Sequence, residues 1–198
     1  MHSELDKVYA LRKQAQKDGE PVLRDDSFEI LIKIIEEKKP EHILEIGTNI
    51  GLSGIAMLLI SKNAKLTGIE IDEEKAKAAE QNYKKFGVWD RAKIFIGDAS
   101  EIIPIISGKY DFIFLDGPKG HYNEYSEYLL DSLLKGGILF ADNVLFRGYV
   151  GGKTKTPHRF NTVKHSMEKF LQRITQNDNL KTEIIDIEDG ISITEKIK

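Results

Sequence analysis

Two adjacent polar residues, Asp142 and Asn143, follow the apolar run GGILFA, and a second apolar run, YDFIFL, ends in the same way at Asp116. Carboxylate and amide oxygens are the ligands that a hard cation such as Mg²⁺ prefers. Open α/β sheets bind ligands beyond the carboxyl ends of their strands, so both strand ends are expected to present oxygens to one point. These residues therefore predict a divalent-metal site. A polar turn is the alternative for Asp142 and Asn143, because both residue types favour turns.

A glycine-containing loop, ILEIGTNIGLSG, follows the first apolar run of the chain. Gly47 and Gly51 stand where a strand turns into a helix, and glycine there lets the backbone approach a ligand beside free helix N–H groups. A dinucleotide fingerprint would read G-x-G-x-x-G, whereas this loop reads G-x-x-x-G. The spacing predicts a nucleotide-type site and disfavours NAD.

Acidic residues close the next two apolar runs. Glu70, in GIEID, is placed to accept hydrogen bonds from both hydroxyls of a ribose, with an exposed acid before a helix as the alternative. Asp98, in IGDA with Ala99, would lie beside an adenine and accept from its exocyclic amine. Together with the glycine loop, these acids describe a site for S-adenosylmethionine, whose sulfonium tolerates nearby carboxylates such as Glu45 and Asp116.

Apolar runs that alternate with segments of helical periodicity predict the elements that position these residues. Continuous Ile, Leu and Phe is typical of parallel strands covered on both faces. The closing segment LKTEIIDIEDGISITEKI has two alternating runs joined at Asp189-Gly190, which predicts an antiparallel hairpin. The predicted class is α/β, a doubly wound, mostly parallel seven-stranded sheet of Rossmann-like type with a C-terminal antiparallel hairpin. The five earlier strands are HILEIG, KLTGIEI, AKIFIG, YDFIFLD and GGILFAD, and the helical segments between them are 51–61, 73–86, 100–106 and 122–134.

The length of 198 residues fits one domain, which we expect to span residues 1–198. The first ~17 residues and residues 25–38 have helical patterns, separated by DGEP. Residues 1–40 are therefore predicted to form a helical extension that serves as a lid or a subunit contact.

Composition excludes several classes of site. The chain has no cysteine, so disulfides, zinc-thiolate sites and thiol nucleophiles are ruled out, and its five histidines lack metal-ligand spacing. No run approaches the ~20 apolar residues that cross a bilayer, and the N-terminus lacks the apolar core of a secretory signal. A cytoplasmic location without membrane association is expected.

The segment from Asn143 to Met167 contains no Asp or Glu, in a chain whose net charge is −3. A basic segment directly after the proposed metal ligands could steer a polyanion to the site. The alternative is a solvated loop whose lysines have no specific role. The basic residues are Arg147, Lys153, Lys155, Arg159 and Lys164, with His158 and His165.

Several segments resemble the class I S-adenosylmethionine-dependent, divalent-metal O-methyltransferases related to catechol O-methyltransferase, over about residues 20–198. These segments are ILEIGTNIGLS, GIEID, IGDA, FLDGPKGHY, FADNVLFRG and the closing hairpin. Within the family, the chain is similar to bacterial tRNA 5-hydroxyuridine methyltransferases in DNVLFRGYV, in the basic segment and in EDGISITEK.

The resemblance implies a role for each matching residue. Asp116, Asp142 and Asn143 would bind Mg²⁺, with Asp116 also serving the cofactor. Lys119 would be the general base for an acceptor hydroxyl whose pKa the metal lowers. A homodimer is implied as well. S-adenosylmethionine would be held by Gly47, Ser53, Glu70, Asp98 and Ala99, and covered by Leu23.

The acceptor is open between two classes. A hydroxylated wobble uridine of tRNA could chelate the metal through its 5-hydroxyl and O4 carbonyl, and a small catechol or caffeoyl-type molecule could do so through two neighbouring oxygens. Gly117-Pro118 stands after the first metal aspartate, where the small-molecule catechol enzymes have aromatic or bulky groups, and leaves a more open mouth that is compatible with a large substrate such as a tRNA loop. A non-catalytic or NAD-binding Rossmann domain is the alternative from another class.

Overall fold

A computed structural model describes residues 2–198 of the protein, which divide into two compact units at Ala99/Ser100. Seven strands are distributed over the units, and the strand pairs within each unit are parallel except for the two that β7 makes. This arrangement confirms the predicted mostly parallel α/β class with a C-terminal antiparallel hairpin. Within residues 2–198, no helix is long and apolar enough to span a membrane.

The N-terminal unit has three parallel strands in the order β3-β2-β1. Its helices form where the sequence supplies an apolar stripe or a cap: α2 buries Phe28, Leu31 and Ile35, and the Asp72 carboxylate accepts hydrogen bonds from the first-turn N–H groups of α4. The elements are α1 (His2–Lys17), α2 (Asp25–Lys38), β1 (His42–Ile46), α3 (Leu52–Ile60), β2 (Lys65–Glu70), α4 (Glu73–Lys85) and β3 (Ala92–Ile96).

The C-terminal unit has the strand order β4-β5-β7-β6. Helices α6 and α7 pack together, with the ring of Tyr122 edge-on to Phe170 at 5.5 Å. The elements are α5 (Ala99–Ile102), which begins at the boundary between the units, β4 (Tyr110–Leu115), α6 (Tyr122–Ser132), β5 (Leu133–Asp142), α7 (Asn161–Thr175), β6 (Leu180–Ile185) and β7 (Ile191–Lys196).

Five features differ from the predicted elements. Helix α7, which begins inside the basic segment, was not predicted, and α5 is four residues long rather than spanning 100–106. Strand β5 begins at Leu133, ahead of the glycine pair, and residues 186–190 connect the hairpin strands, so Asp189-Gly190 ends a longer turn. Strand β3 is only partly buried, because within its unit it pairs with β2 alone.

Candidate functional site

The loop between β1 and α3 adopts the left-handed conformation at three positions. Gly47 and Gly51 have φ values of 88° and 83°, and Asn49 has φ of 49°. A Cβ at Gly51 would lie 3.0 Å from the Tyr83 ring, so this glycine also allows a close approach between the loop and α4. The positive φ values at Gly47 and Gly51 are a conformational reason for glycine at both positions.

Glu70 ends β2 with only 8 % of its surface exposed. The Asn49 N–H donates to its Oε2 at 2.6 Å, and the Asp72 N–H donates to its Oε1 at 3.0 Å. These bonds orient the carboxylate, and because a carboxylate has about four lone-pair sites, each oxygen can accept a further hydroxyl hydrogen bond. The geometry suits a ribose diol.

Ser53 lies in the first turn of α3, where its hydroxyl donates to the fully buried carboxylate of Glu45. The hydroxyl of Tyr83 donates to the other Glu45 oxygen at 3.4 Å. Burial, followed by the Glu45 charge, raises the pKa of Tyr83 well above its ordinary value, which keeps Tyr83 a donor. The Ser53 oxygen retains acceptor capacity toward a ligand amine.

The segment that precedes α2 is held by contacts to this loop and to α1 that were not predicted from the sequence. The Asn49 side-chain amide donates to the Pro21 carbonyl at 2.7 Å. The buried Arg12 guanidinium donates to the Leu23 carbonyl and lies 3.7 Å from the centroid of Phe28. Leu23 itself is buried, which is compatible with its predicted covering role. Polar residues in a turn and a helix gave no sequence signal for these long-range bonds.

Apolar side chains are exposed beside the two acidic strand ends of the N-terminal unit. Ile71 and Ile96 are 67 % and 53 % exposed, and Ile96 is paired with Glu70 in the β2–β3 register. Asp98 lies at the surface after β3, followed by the buried Ala99. Exposed isoleucines next to acids form an apolar surface suited to a flat ring, and their position directly after strands is the signal that could have identified them.

The predicted metal ligands lie in the C-terminal unit. In the β4–β5 register Leu115 pairs with Ala141, so Asp116 directly follows β4 beside Asp142, the last residue of β5. Asp142 is only 5 % exposed. Burial and then the charge of Asp116 raise the pKa of Asp142 to about 7, while Lys119 opposes the rise. A buried carboxylate beside a second one is stabilised by a cation, so the residues present fit a divalent metal.

Asn143, the third predicted ligand, has φ of 56°, a left-handed conformation that asparagine tolerates better than most residues. Phe146 and Arg147 in the same loop also have positive φ values, 43° and 58°. Within residues 2–198 there is no group of three or more His, Cys, Asp and Glu that could hold a metal ion. The predicted donor set is of a different kind, with two carboxylates and one amide.

Lys119 begins a short helical turn that leads into α6, and its ammonium lies 2.7 Å from Asp116 Oδ1. Both side chains are mostly buried, with 18 % and 24 % of their surface exposed. The lysine is thus located beside the proposed metal ligand, where the sequence placed it. Its positive charge also offsets part of the repulsion between Asp116 and Asp142.

Tyr122, which was not predicted, holds the two strand ends of the site together. Its buried hydroxyl is within hydrogen-bond distance of the Leu115 carbonyl, 3.0 Å, and the Asp142 carbonyl, 3.1 Å. Burial, followed by the charges of Asp116 and Asp142, raises the pKa of Tyr122 well above its ordinary value. A neutral tyrosine can donate to these carbonyls, so Tyr122 is a positioning residue.

Known proteins match this chain over most of its length. A family model described as O-methyltransferase matches residues 5–197. Catechol O-methyltransferase of Sus scrofa is 33 % identical over 134 residues, covering 61 % of this chain and 69 % of that protein. Caffeoyl-CoA O-methyltransferase of Stellaria longipes is 31 % identical over 129 residues, covering 62 % of this chain and 54 % of that protein. The crystal structure of an O-methyltransferase from Bacillus cereus in complex with S-adenosylhomocysteine has the same fold, with a TM-score of 0.82, 22 % identity and coverage of 98 % of this chain and 90 % of that one.

Proposed function

The chain belongs to the O-methyltransferase family, and from this premise we propose that it transfers a methyl group from S-adenosylmethionine to a hydroxyl chelated by Mg²⁺. The observation that carries the proposal is the buried Asp142 carboxylate next to Asp116, with Lys119 against the latter. Bound Mg²⁺ would lower the pKa of a chelated hydroxyl. The residues of the chain would hold that cation, fix the acceptor and take its proton.

The N-terminal unit supports the cofactor part of the proposal. The Glu70 carboxylate is oriented by two backbone N–H groups and can accept from a ribose diol. The exposed Ile71 and Ile96 offer an apolar surface to the adenine, and Asp98 would accept from its amine. The glycine loop lacks the spacing for a pyrophosphate, which disfavours the alternative of an NAD-binding or non-catalytic Rossmann domain.

A divalent cation is expected to stabilise the folded chain, and more so at pH 8 than at pH 5. The folded state holds the Asp142 proton more tightly than the unfolded state, because the pKa is raised from 3.8 to about 7. This carboxyl therefore stabilises the fold below its ordinary pKa, and that contribution is lost as pH rises to about 7. At pH 8 a bound cation stabilises the ionised Asp142 carboxylate in place of the proton, whereas at pH 5 protons compete with the cation for this carboxylate.

Thermal unfolding with EDTA and with Mg²⁺ at both pH values measures this difference. At pH 8 and a cation concentration roughly one hundred times Kd, the midpoint should rise by about 5 °C or more. The Asp142→Asn variant is the matched control, since it removes the titrating group at nearly constant size. A Mg²⁺ effect that is absent at pH 8, or equal at both pH values, contradicts the proposed ligand.

The acceptor we propose is 5-hydroxyuridine at the wobble position of tRNA. An aromatic–arginine surface, made by the half-buried Phe146 and Phe160 with the exposed Arg147 and Arg159, supports this choice, and the buried Tyr149 packs against both phenylalanines. The three rings contact each other at centroid distances of 5.5 to 5.7 Å. The exposed guanidiniums lie 5.6 and 4.8 Å from the Phe160 centroid. Arginines against aromatic rings suit phosphates and unstacked bases.

The segment that carries this surface contributes no Asp or Glu of its own from Asn143 to Met167, whereas Asp186 and Asp189 of the hairpin turn contact it. Part of the predicted basic charge is neutralised: Lys153 pairs with Asp186, and Lys164 and His165 face Glu168. Arg147, Lys155 and Arg159 are therefore the better candidates for phosphate contacts.

A small catechol or caffeoyl-type acceptor is the second candidate, favoured by the substrates that the names of the relatives give. Methyl transfer from labelled S-adenosylmethionine to undermodified bulk tRNA, to catechol and to caffeoyl-CoA, each with Mg²⁺ and with EDTA, separates the two. Methylation of tRNA that requires Mg²⁺ supports the proposal. Turnover of the small acceptors alone moves the assignment to the second candidate, and full activity in EDTA refutes the metal role.

Replacing Arg147 and Arg159 together with glutamine should raise the KM for tRNA roughly tenfold and reduce the slope of log KM against log salt by about 1 to 2. Each arginine that is replaced removes one phosphate contact, so fewer counterions are released from the tRNA on binding and affinity depends less on salt. Kinetics at several salt concentrations measure both quantities. The control is Lys77→Gln with Lys84→Gln, two exposed lysines of α4, which changes net charge equally. Equal effects of the two double variants would mean that tRNA responds to the net charge of the protein and not to the aromatic–arginine surface.

A further inference from the structure

We infer that Asp189, in the turn of the C-terminal hairpin, is a positioning residue for the metal-binding loop, residues 143–147. Its role would be to hold this loop in the conformation that presents Asn143 to a cation. This role rests on the proposed metal site and adds to it a residue that lies outside the ligand set.

The loop is conformationally strained. Asn143, Phe146 and Arg147 all have φ between 43° and 58°. Asparagine visits this region readily, whereas phenylalanine and arginine do so at a cost, since their Cβ crowds the following carbonyl. Strained residues persist only where surrounding contacts hold them in place. Besides the hydrogen bonds that the loop makes with itself, contacts that hold it come from the hairpin turn.

Hydrogen bonds connect the loop to the turn along its length. The Val144 N–H donates to the Gly190 carbonyl at 2.9 Å, and the Leu145 N–H donates to the Asp189 carbonyl at 2.9 Å. The Arg147 N–H donates to the Asp189 carboxylate. Asp189 therefore accepts from the loop with both its backbone and its side chain, and the side chain holds a residue whose φ is strained.

Direct packing accompanies these bonds. A Cβ at Gly190 would lie 2.3 Å from Leu145 Cγ, so the turn backbone lies directly against the loop. The β5–β7 register pairs Asp142, the last residue of β5, with Ile191, the first residue of β7. The hairpin turn, which precedes Ile191, therefore lies next to this metal ligand. The hairpin thus supports the loop from the residue after Asp142 onward.

The test is manganese binding, measured by the loss of the free Mn²⁺ signal in electron paramagnetic resonance. Asp189→Ala should raise the Kd for Mn²⁺ about tenfold, the range found when groups that orient metal ligands are removed. Asp189→Asn keeps an acceptor oxygen and should bind within about threefold of wild type. Affinity for S-adenosylhomocysteine and the thermal midpoint in EDTA should change little, whereas general loss of structure would lower both.

The double variant Asp189→Ala with Arg147→Gly provides a second measurement where Asp189→Ala folds poorly. Glycine adopts a φ of 58° without strain, so the loop needs less restraint and Mn²⁺ affinity should recover. Wild-type affinity in Asp189→Ala, or no recovery in the double variant, overturns the positioning role while the metal site stands. A wild-type chain that binds no Mn²⁺ and keeps full methyl transfer in EDTA overturns the metal site itself, and the positioning role with it.

Discussion

Asp142→Ala should lower methyl transfer about 10³-fold while leaving affinity for S-adenosylhomocysteine within about twofold of wild type. The carboxylate is a proposed cation ligand, and loss of metal stabilisation of an acceptor oxygen costs several kcal/mol of barrier. The cofactor groups predicted from the N-terminal unit are untouched by the substitution. Steady-state kinetics with the acceptor that the methyl-transfer assay selects and calorimetry with S-adenosylhomocysteine measure the two quantities.

Stability separates this loss from misfolding. Asp142 is buried beside Asp116, and its raised pKa means that its charged form is disfavoured in the metal-free fold. Removing the Asp142 carboxylate should therefore leave the midpoint of thermal unfolding in EDTA unchanged or raise it. Replacing a functional residue that destabilises the fold commonly has this effect. Asp178→Ala, at an exposed position before β6, is the control for loss of one carboxylate. A variant that retains more than a tenth of wild-type turnover would contradict the assignment.

The strand ends could be predicted from sequence because short-range pattern determines them. Continuous apolar runs marked β1, β2 and β4, and the polar residue that closed each run marked the residue at the sheet edge, as at Glu70 and Asp116. Glycines at positive φ could be predicted as well, since few other residues adopt this conformation. The fold class and the positions of the predicted ligands follow from these local rules.

The support of the site could not be predicted in the same way, because it depends on contacts between residues distant in sequence. Tyr122 reaches the carbonyls of Leu115 and Asp142, seven and twenty positions away. Asp189 reaches Arg147 across 42 positions. A tyrosine in the first turn of a helix and an Asp-Gly turn have common local explanations, so neither stands out in the sequence.

Helix α7 was overlooked for a different reason. Its apolar positions Met167, Phe170 and Ile174 follow helical spacing, but the basic residues that precede them are equally typical of a solvated loop. A 3-10 turn at His158–Phe160 precedes the helix, which begins at Asn161, so only residues 143–157 of the acid-free segment lie outside helical structure. The aromatic–arginine surface lies ahead of α7, and the proposed tRNA contact is therefore confined to residues 146–160.

Lys119→Met should lower kcat by about 10² to 10⁴, the range for loss of a general base, with a smaller change in KM. In the structure the ammonium pairs with Asp116 at 2.7 Å. A cation held by Asp116 and Asp142 would compete with the lysine for the carboxylate and leave the amine available to the acceptor proton. The same substitution removes a positive charge beside the ligands, so Mn²⁺ should bind at least as tightly as in wild type.

Opposite changes in turnover and cation affinity distinguish a base from a structural lysine, whose removal would weaken both. Lys135→Met, at an exposed position early in β5, is the matched control and should keep wild-type kinetics. The pH profile of kcat adds a second criterion, because the limb that reports deprotonation of the base should disappear in Lys119→Met. If Lys119→Met kept more than a tenth of wild-type turnover with an unchanged pH profile, Lys119 would not be the general base. Its role would then be limited to the ion pair with Asp116, and another residue would have to take the acceptor proton.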